Sequence, residues 1–316
     1  MSAGVQPAPA QFVPTEKQLI VAYSVCRSIT RSAARNFYYA FLALPRRKRE
    51  ALCAVYAFMR RCDDIADDAN MPVQDRRIKL ADWLDALHNA AAGAPTDDPV
   101  LLALAHAQRQ YKIPIELLDQ LAAGTAMDLQ VQGEIEDEPG FARNALSVQY
   151  AAFDDLAQYC YRVASVVGLV CIRIFGYRDP RAEALAERCG LAFQLTNIIR
   201  DIKEDAAMGR VYVPLEDMRE FGVTVEDISG SPDMARLRPL LAKEAERARE
   251  FYRSGDELIP LVNEDSQPAL WVLITIYRRL LEKIASQAYN VFGEKVSLTV
   301  NEKIRVLAKG FMKKLA

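Results

Sequence analysis

Apolar residues recur every three or four positions along most of the chain, and that period predicts helix after helix. The stretch 46–70 is the clearest case. Leu52, Val55, Tyr56 and Met59 form one stripe, and continuing the same helix brings Asp63 and Asp67 into the sector of Leu52, Tyr56 and Met59. Further helices are expected over 16–43, 72–92, 98–130, 153–172, 179–205, 235–256, 267–292 and 301–316. Their ends carry breakers: Pro45 after the first, the turn-rich AGAPTDDP before 98, and Gly209 and Pro214 after 205. Residues 128–150 are polar and acidic around Glu134–Gly140 and read as an exposed excursion. No stretch shows sustained strand alternation with hairpin signals, so the expected class is all-α.

Two acidic rows break the apolar pattern. In Gln194–Asp205, QLTNIIRDIKED, the side chains of Gln194, Asn197, Asp201 and Asp205 fall within about an 80° arc at roughly 100° per residue. This row borders Leu191, Ile198 and Ile202, which face the core. Carboxylates buried beside a core cost several kcal/mol each unless neutralised, so a bound cation accounts for them. A solvated face paired through Arg200 and Lys203 is the alternative. The second row, Asp63 and Asp67, shifts the balance. Two helices that both aim aspartates inward are tolerated when divalent cations and an anionic ligand lie between them, and magnesium with a diphosphate suits all-oxygen donors. Arg210 and Tyr212 sit just past the second row, on a loop able to close over an anion.

Composition narrows the function classes. With 316 residues, 51% of them hydrophobic, the chain can bury a large core. A net charge of −2 gives no basic field for nucleic acid, and no P-loop or dinucleotide fingerprint is present. A nicotinamide cofactor, NADPH, is left possible but without support in the sequence, since a missing fingerprint is weak evidence against it. Six cysteines sit singly in apolar runs and read as reduced, buried thiols of a cytoplasmic protein. His88 and His106 lack ligand or nucleophile neighbours in sequence and read as structural. Residues 1–15 read as a disordered tail and 16–316 as one domain. The longest apolar run, Val163–Ile172, is too short to span a bilayer. The last segment is amphipathic and basic through Lys303, Arg305, Lys309, Lys313 and Lys314. It reads as a helix capping the core, with peripheral contact at the inner face of the membrane as the alternative.

The acidic helices carry a resemblance. FYYAFLALPRRKREALCAVYAFMRRCDDIADD and LAFQLTNIIRDIKEDAAMGRVYVP resemble the two signatures of the squalene and phytoene synthase family, and YCYRVASVVGLVCIRIFG is similar to its cavity-lining helix. The likeness covers about residues 30–300. It implies an isoprenoid synthase fold of packed helices with a central cavity, three magnesium ions, and joining of two prenyl diphosphates through their C1 ends. On that likeness Asp63, Asp64 and Asp67 belong to the first metal motif, and Asn197, Asp201 and Asp205 to the second. Arg60, Gln194, Arg200, Arg210 and Tyr212 match diphosphate-proximal positions. Tyr159 and Tyr277 match tyrosines near the reacting carbons, and Tyr39, Phe41, Val163, Ala164 and Gly168 match the lining. Asn36 stands where the family often has serine and can still donate a hydrogen bond to phosphate. The stretch 131–149 looks longer than usual.

The overall pattern looks most like bacterial enzymes that convert farnesyl diphosphate to presqualene diphosphate for hopanoid or squalene synthesis. Phytoene synthesis, a carotenoid step from geranylgeranyl diphosphate, is the alternative. A head-to-tail synthase would be expected to carry a second DDxxD where this chain has N-x-x-R-D-x-x-x-D. A non-catalytic helical assembly factor would be expected to have lost metal ligands. Chain length is expected to be limited by Phe41, with Cys53 near the same depth.

Overall fold

The computed structural model describes residues 12–34, 37–68, 70–137, 147–230 and 232–315. Fourteen α-helices are described, and the order explains the site. α1 (Glu16–Ala33) begins at a capping box in which Thr15 and Gln18 satisfy each other's backbone N–H. Just ahead of it Phe12 N–H donates to Gly93 O at 2.8 Å, so this part of the expected tail is fastened to the domain. Residues 1–11 and Asn36 lie outside the described residues. The helix expected over 16–43 is two: α1 ends at Ala33, and the separate α2 (Phe37–Phe41) packs against later helices.

α3 (Arg46–Ala66) follows Pro45 and is buried on nearly every side, from Ala51 through Phe58. α4 (Val73–Ala91), α5 (Pro99–Tyr111) and α6 (Ile115–Asp137) pack around it and around one another. Asp98 caps α5 by accepting from Val100 N at 2.7 Å and Leu101 N at 3.0 Å, and the left-handed Lys112 ends it. The α6 backbone carries helix into the expected excursion as far as Asp137, and residues 138–146 lie outside the described residues.

α7 (Phe153–Cys160) and α8 (Val166–Phe175) are joined without a break by a π-helical turn, Tyr161–Ser165. Together they are long and apolar enough to cross a membrane, yet more than half of the apolar stretch is buried in the protein. α9 (Arg181–Ala207) lies along α8, the π-turn and α12 (Met234–Leu258). Small residues allow this closeness. A Cβ on Gly168 would stand 2.8 Å from Ala186 O, and one on Gly190 would stand 2.7 Å from Ser165 Cα. α10 (Leu215–Glu220) and α11 (Val225–Ser229) follow α9, and α13 (Gln267–Ser286) and α14 (Val300–Leu315) close the fold. α13 stops six residues before the expected 292, where Ala288 and Tyr289 turn into the left-handed region. A two-residue parallel pairing, β1 (Ser147–Val148) with β2 (Arg210–Val211), and an isolated antiparallel bridge between Tyr177 and Val262 are the departures from all-α among the described residues. The parallel pairing ties the end of the 131–149 stretch to the loop after the second acidic row.

Lys48 fastens one end of the cavity. Its Nζ donates to Phe175 O at 2.7 Å, Ser266 Oγ at 3.0 Å and Asp265 Oδ1 at 2.5 Å, joining α3 to the end of α8 and the start of α13. All six cysteines are buried free thiols, as expected. His106 Nδ1 meets Tyr23 OH at 2.8 Å and His88 Nε2 meets Asp119 at 2.6 Å, both structural contacts.

Candidate active site

An apolar cavity of about 180 Å³ runs between α2, α3, α8, α9 and α13. One α3 stripe, Leu52, Val55, Tyr56 and Met59, forms a wall. The π-turn and α8 supply Val163, Ala164, Val167 and Gly168 opposite it, and Phe37 and Phe41 come from α2. A polar chamber of about 310 Å³ adjoins it, lined by Asp63, Asp67, Thr125, Tyr159 and Arg210. Met59, Val163 and Gln194 border both spaces, so the polar chamber and the apolar cavity meet at these three side chains.

The π-turn explains how Val163 and Ala164 reach that border. It inserts an extra residue per turn between Tyr159 and Gly168, and two glycines make room for it. A Cβ on Gly124 would lie 2.9 Å from Arg162 O, while Gly190 takes the other side against Ala164 and Ser165.

The carboxylates of the two acidic rows are unevenly satisfied: Asp63 and Asp67 line the polar chamber, whereas Asp201 and Asp205 are not among its described lining residues. Burial first, and then Asp67, push the Asp63 carboxyl up to about 6, with Thr125 Oγ1 donating to it at 3.3 Å. Burial and then Asp201 push Asp205 up to about 7, opposed by Arg210. Burial also acts on Asp201, but Arg200 and Lys295 hold it below the usual carboxylate range. Arg200 Nε donates to it at 2.7 Å with Nη2 alongside, and Lys295 Nζ lies 2.6 Å from Oδ1. Asn197 Oδ1 is buried and accepts no hydrogen bond within the described residues. That orphaned oxygen, one helical turn before Asp201, is a donor of the kind a hard cation takes, while among the described residues no three acidic, His or Cys side chains stand close enough together to hold one.

Several expected residues stand elsewhere. Tyr39 does not line the cavity: its ring lies 5.7 Å from Lys303 Nζ on α14, because Phe37 and Phe41 share a helical face from which Tyr39 is turned away. Asp64, one residue on from Asp63, is turned out to solvent and pairs with Arg60 at 2.6 Å, so neither reaches the chamber wall. Cys53 is fully buried on the α1 side, where Thr30 Oγ1 donates to its carbonyl at 3.3 Å, and Leu52 takes the cavity position instead. Tyr277 sits behind the lining, its ring 4.6 Å from Phe193 and 5.8 Å from Phe37. Tyr159 and Tyr212 stack at 5.1 Å with Tyr150 at 5.5 Å from Tyr159.

Tyr150 and Lys295 were not expected. Tyr150 lies on the polar stretch before α7, and Lys295 on the connection between α13 and α14, where Val291, Val296 and Leu298 are buried and hold that connection against the domain. A lysine amid buried valines in a loop is the signal available in sequence, and it names no partner.

An all-helical domain in which an acid-lined polar chamber adjoins an apolar cavity suits an enzyme whose ligand has a charged head and a long apolar chain. The family model for squalene/phytoene synthase matches residues 30–302, and the chain belongs to that family, whose members condense prenyl diphosphates head to head. It is 38% identical to the phytoene synthase of Mycobacterium tuberculosis over 91% of this chain and 89% of that one. It is 32% identical to the phytoene synthase of Arthrospira platensis over 90% and 91%. Among solved structures, a dehydrosqualene synthase superposes with a TM-score of 0.80 at 30% identity over 94% of this chain and 98% of that one. Squalene synthase HpnC from Alicyclobacillus acidocaldarius gives 0.74 at 30% identity over 88% and 97%. The chain is thus a prenyltransferase.

Proposed function

We propose that the protein joins two farnesyl diphosphates through their C1 carbons to give presqualene diphosphate. The observation that carries the C15 assignment is the α3 stripe. Leu52 to Asp63 is eleven residues, about 16 Å at 1.5 Å per residue. An extended farnesyl backbone of twelve carbons needs about 15 Å and a geranylgeranyl backbone about 20 Å. Phe41 shares the lining with Leu52 and is buried, so it limits that end of the cavity. The names of the solved relatives, dehydrosqualene and squalene synthase, agree with a C15 substrate.

Asp63, Asp67, Asn197, Asp201 and Asp205 would hold magnesium, which when bound supplies electrostatic stabilisation of the departing diphosphate. Arg200 and Arg210 add planar cationic donors for the same oxygens, and Gln194 stands at the boundary where the C1 carbon must lie. The Phe37, Phe41 and Phe193 rings, with Val163 and Val167, keep water from the allylic cation until the second chain's double bond reaches it. The bond from that double bond to the allylic C1 leaves a tertiary cation, and loss of a C1 proton to the released diphosphate then closes the cyclopropane. Tyr159 and Tyr212 place stacked rings at the polar chamber, and their negative faces favour a passing cation.

A second reading, phytoene synthesis from geranylgeranyl diphosphate, is favoured by the names of the sequence relatives. Product mass from each substrate alone, with magnesium and with or without NADPH, tests the assignment. Efficient C40 formation with poor C30 formation would replace the first reading with the second.

A further inference from the structure

α14 is amphipathic twice over. Its inner face is seated in the fold: Lys303, Val306 and Gly310 are the residues turned inward, and a Cβ on Gly310 would stand 2.4 Å from Val272 Cγ2 on α13. Its outer face is apolar yet uncovered. Val300, Ile304 and Phe311 are exposed by 57%, 48% and 41%, and they fall within about a 40° arc of the helix. Exposed Ala308 and Met312 widen the arc, and exposed Arg305 and Lys309 border it within about 180°.

The charge is one-sided. Residues 300–316 hold five Lys and Arg against one acid, in a chain whose net charge is −2; Lys303 is turned inward, and Arg305 and Lys309 are the exposed pair beside the arc. That acid, Glu302, is engaged by Thr299 N at 2.7 Å and Lys283 Nζ at 3.3 Å. An apolar arc edged by cations complements an anionic lipid surface, where rings and aliphatic chains enter the headgroup boundary and cations meet phosphate.

We infer that the outer face of α14 docks the protein on an anionic bilayer. The placement also bears on the chemistry. α14 packs on α2, whose Phe37 and Phe41 line the apolar cavity, and Lys303 lies over Tyr39 of the same short helix. The docked face is therefore one helix away from the space that holds the prenyl chains. That consequence rests on the proposed prenyl diphosphate reading, whereas docking itself does not.

The test is co-sedimentation of the purified full chain, without substrate, with vesicles of phosphatidylcholine alone or mixed with phosphatidylglycerol. Wild type is expected to partition onto the anionic vesicles about tenfold more strongly, with salt weakening the difference. The double variants Ile304→Ser with Phe311→Ser and Arg305→Glu with Lys309→Glu should each lose about tenfold in partitioning. Their turnover in detergent should stay at the wild-type level, which separates docking from catalysis. Absence of wild-type binding, or binding that neither double variant changes, overturns the inference. So does a dimer in sedimentation velocity that Ile304→Ser with Phe311→Ser turns into monomer, since the face would then join two copies of the chain.

Discussion

Replacing Phe41 by alanine should move substrate choice toward the longer chain. The ring is 4% exposed and lines the cavity together with Leu52. Removing it frees about 5 Å along the cavity, the length that four further backbone carbons require. The ratio of kcat/KM for geranylgeranyl over farnesyl diphosphate should rise at least about tenfold, or about 1.4 kcal/mol of relative transition-state binding. Emptying a buried aromatic site costs about 3–5 kcal/mol of stability, so Phe41→Leu serves as the milder partner, with a smaller shift in the same direction. The assay is a competition of both diphosphates with products resolved by mass. A ratio unchanged in both variants would refute the assignment of Phe41 as the limit, and wild-type preference for the C20 substrate would refute the length comparison itself.

Other consequences are measurable by similar means. Asp63→Asn and Asp201→Asn should each lower turnover by roughly two orders of magnitude or more with unchanged circular dichroism, because each acidic row would supply ligands the other lacks; near-normal turnover in both would remove the site. Arg200→Lys and Arg210→Lys should reduce kcat while leaving thermal stability near wild type, since a planar fork becomes a point charge; lost stability with normal kinetics would mark them as structural. Gly190→Ala should destabilise by about 1–3 kcal/mol because its Cβ would meet backbone of the π-turn at 2.7 Å, and a wild-type melting temperature would contradict that packing. Glu244, buried beside Asp217 and Arg247, has its carboxyl pushed up from 4.5 to about 8 by burial first. A raised folded-state value means that its share of stability is present below pH 4.5 and is lost as pH climbs to about 8. Wild type should therefore lose stability relative to Glu244→Gln across that window in urea titrations, and parallel pH profiles would contradict it.

The two acidic rows were legible because helical period alone orients them. Asn197, Asp201 and Asp205 share a face whatever packs against it, and the same holds for Asp63 beneath Leu52, Tyr56 and Met59. What lay beyond the sequence was the choice between faces that are both apolar. α3 is buried almost all round, so period did not distinguish Leu52, which faces the cavity, from Cys53, which faces α1. On α2 the aromatic residues surround the helix, and the neighbours decide: Phe37 and Phe41 took the cavity and Tyr39 took α14. Lys295 met Asp201 across nearly a hundred residues through a loop, which local pattern does not encode. The π-turn depends on glycines of two other helices, Gly124 and Gly190, and so is a property of packing rather than of its own residues. The β1 and β2 pairing is two residues long on each side, too short for any alternation to register.

The central claim is that a mouth of oxygen donors over a 16 Å apolar stripe joins two C15 diphosphates through C1. The most direct measurement gives the purified protein equal farnesyl and geranylgeranyl diphosphate with magnesium and follows products by mass over time. The account predicts presqualene diphosphate as the first and main product, formed in amounts that vanish with a chelator. A C40 hydrocarbon as the main product, or a longer linear diphosphate from head-to-tail coupling, would contradict it.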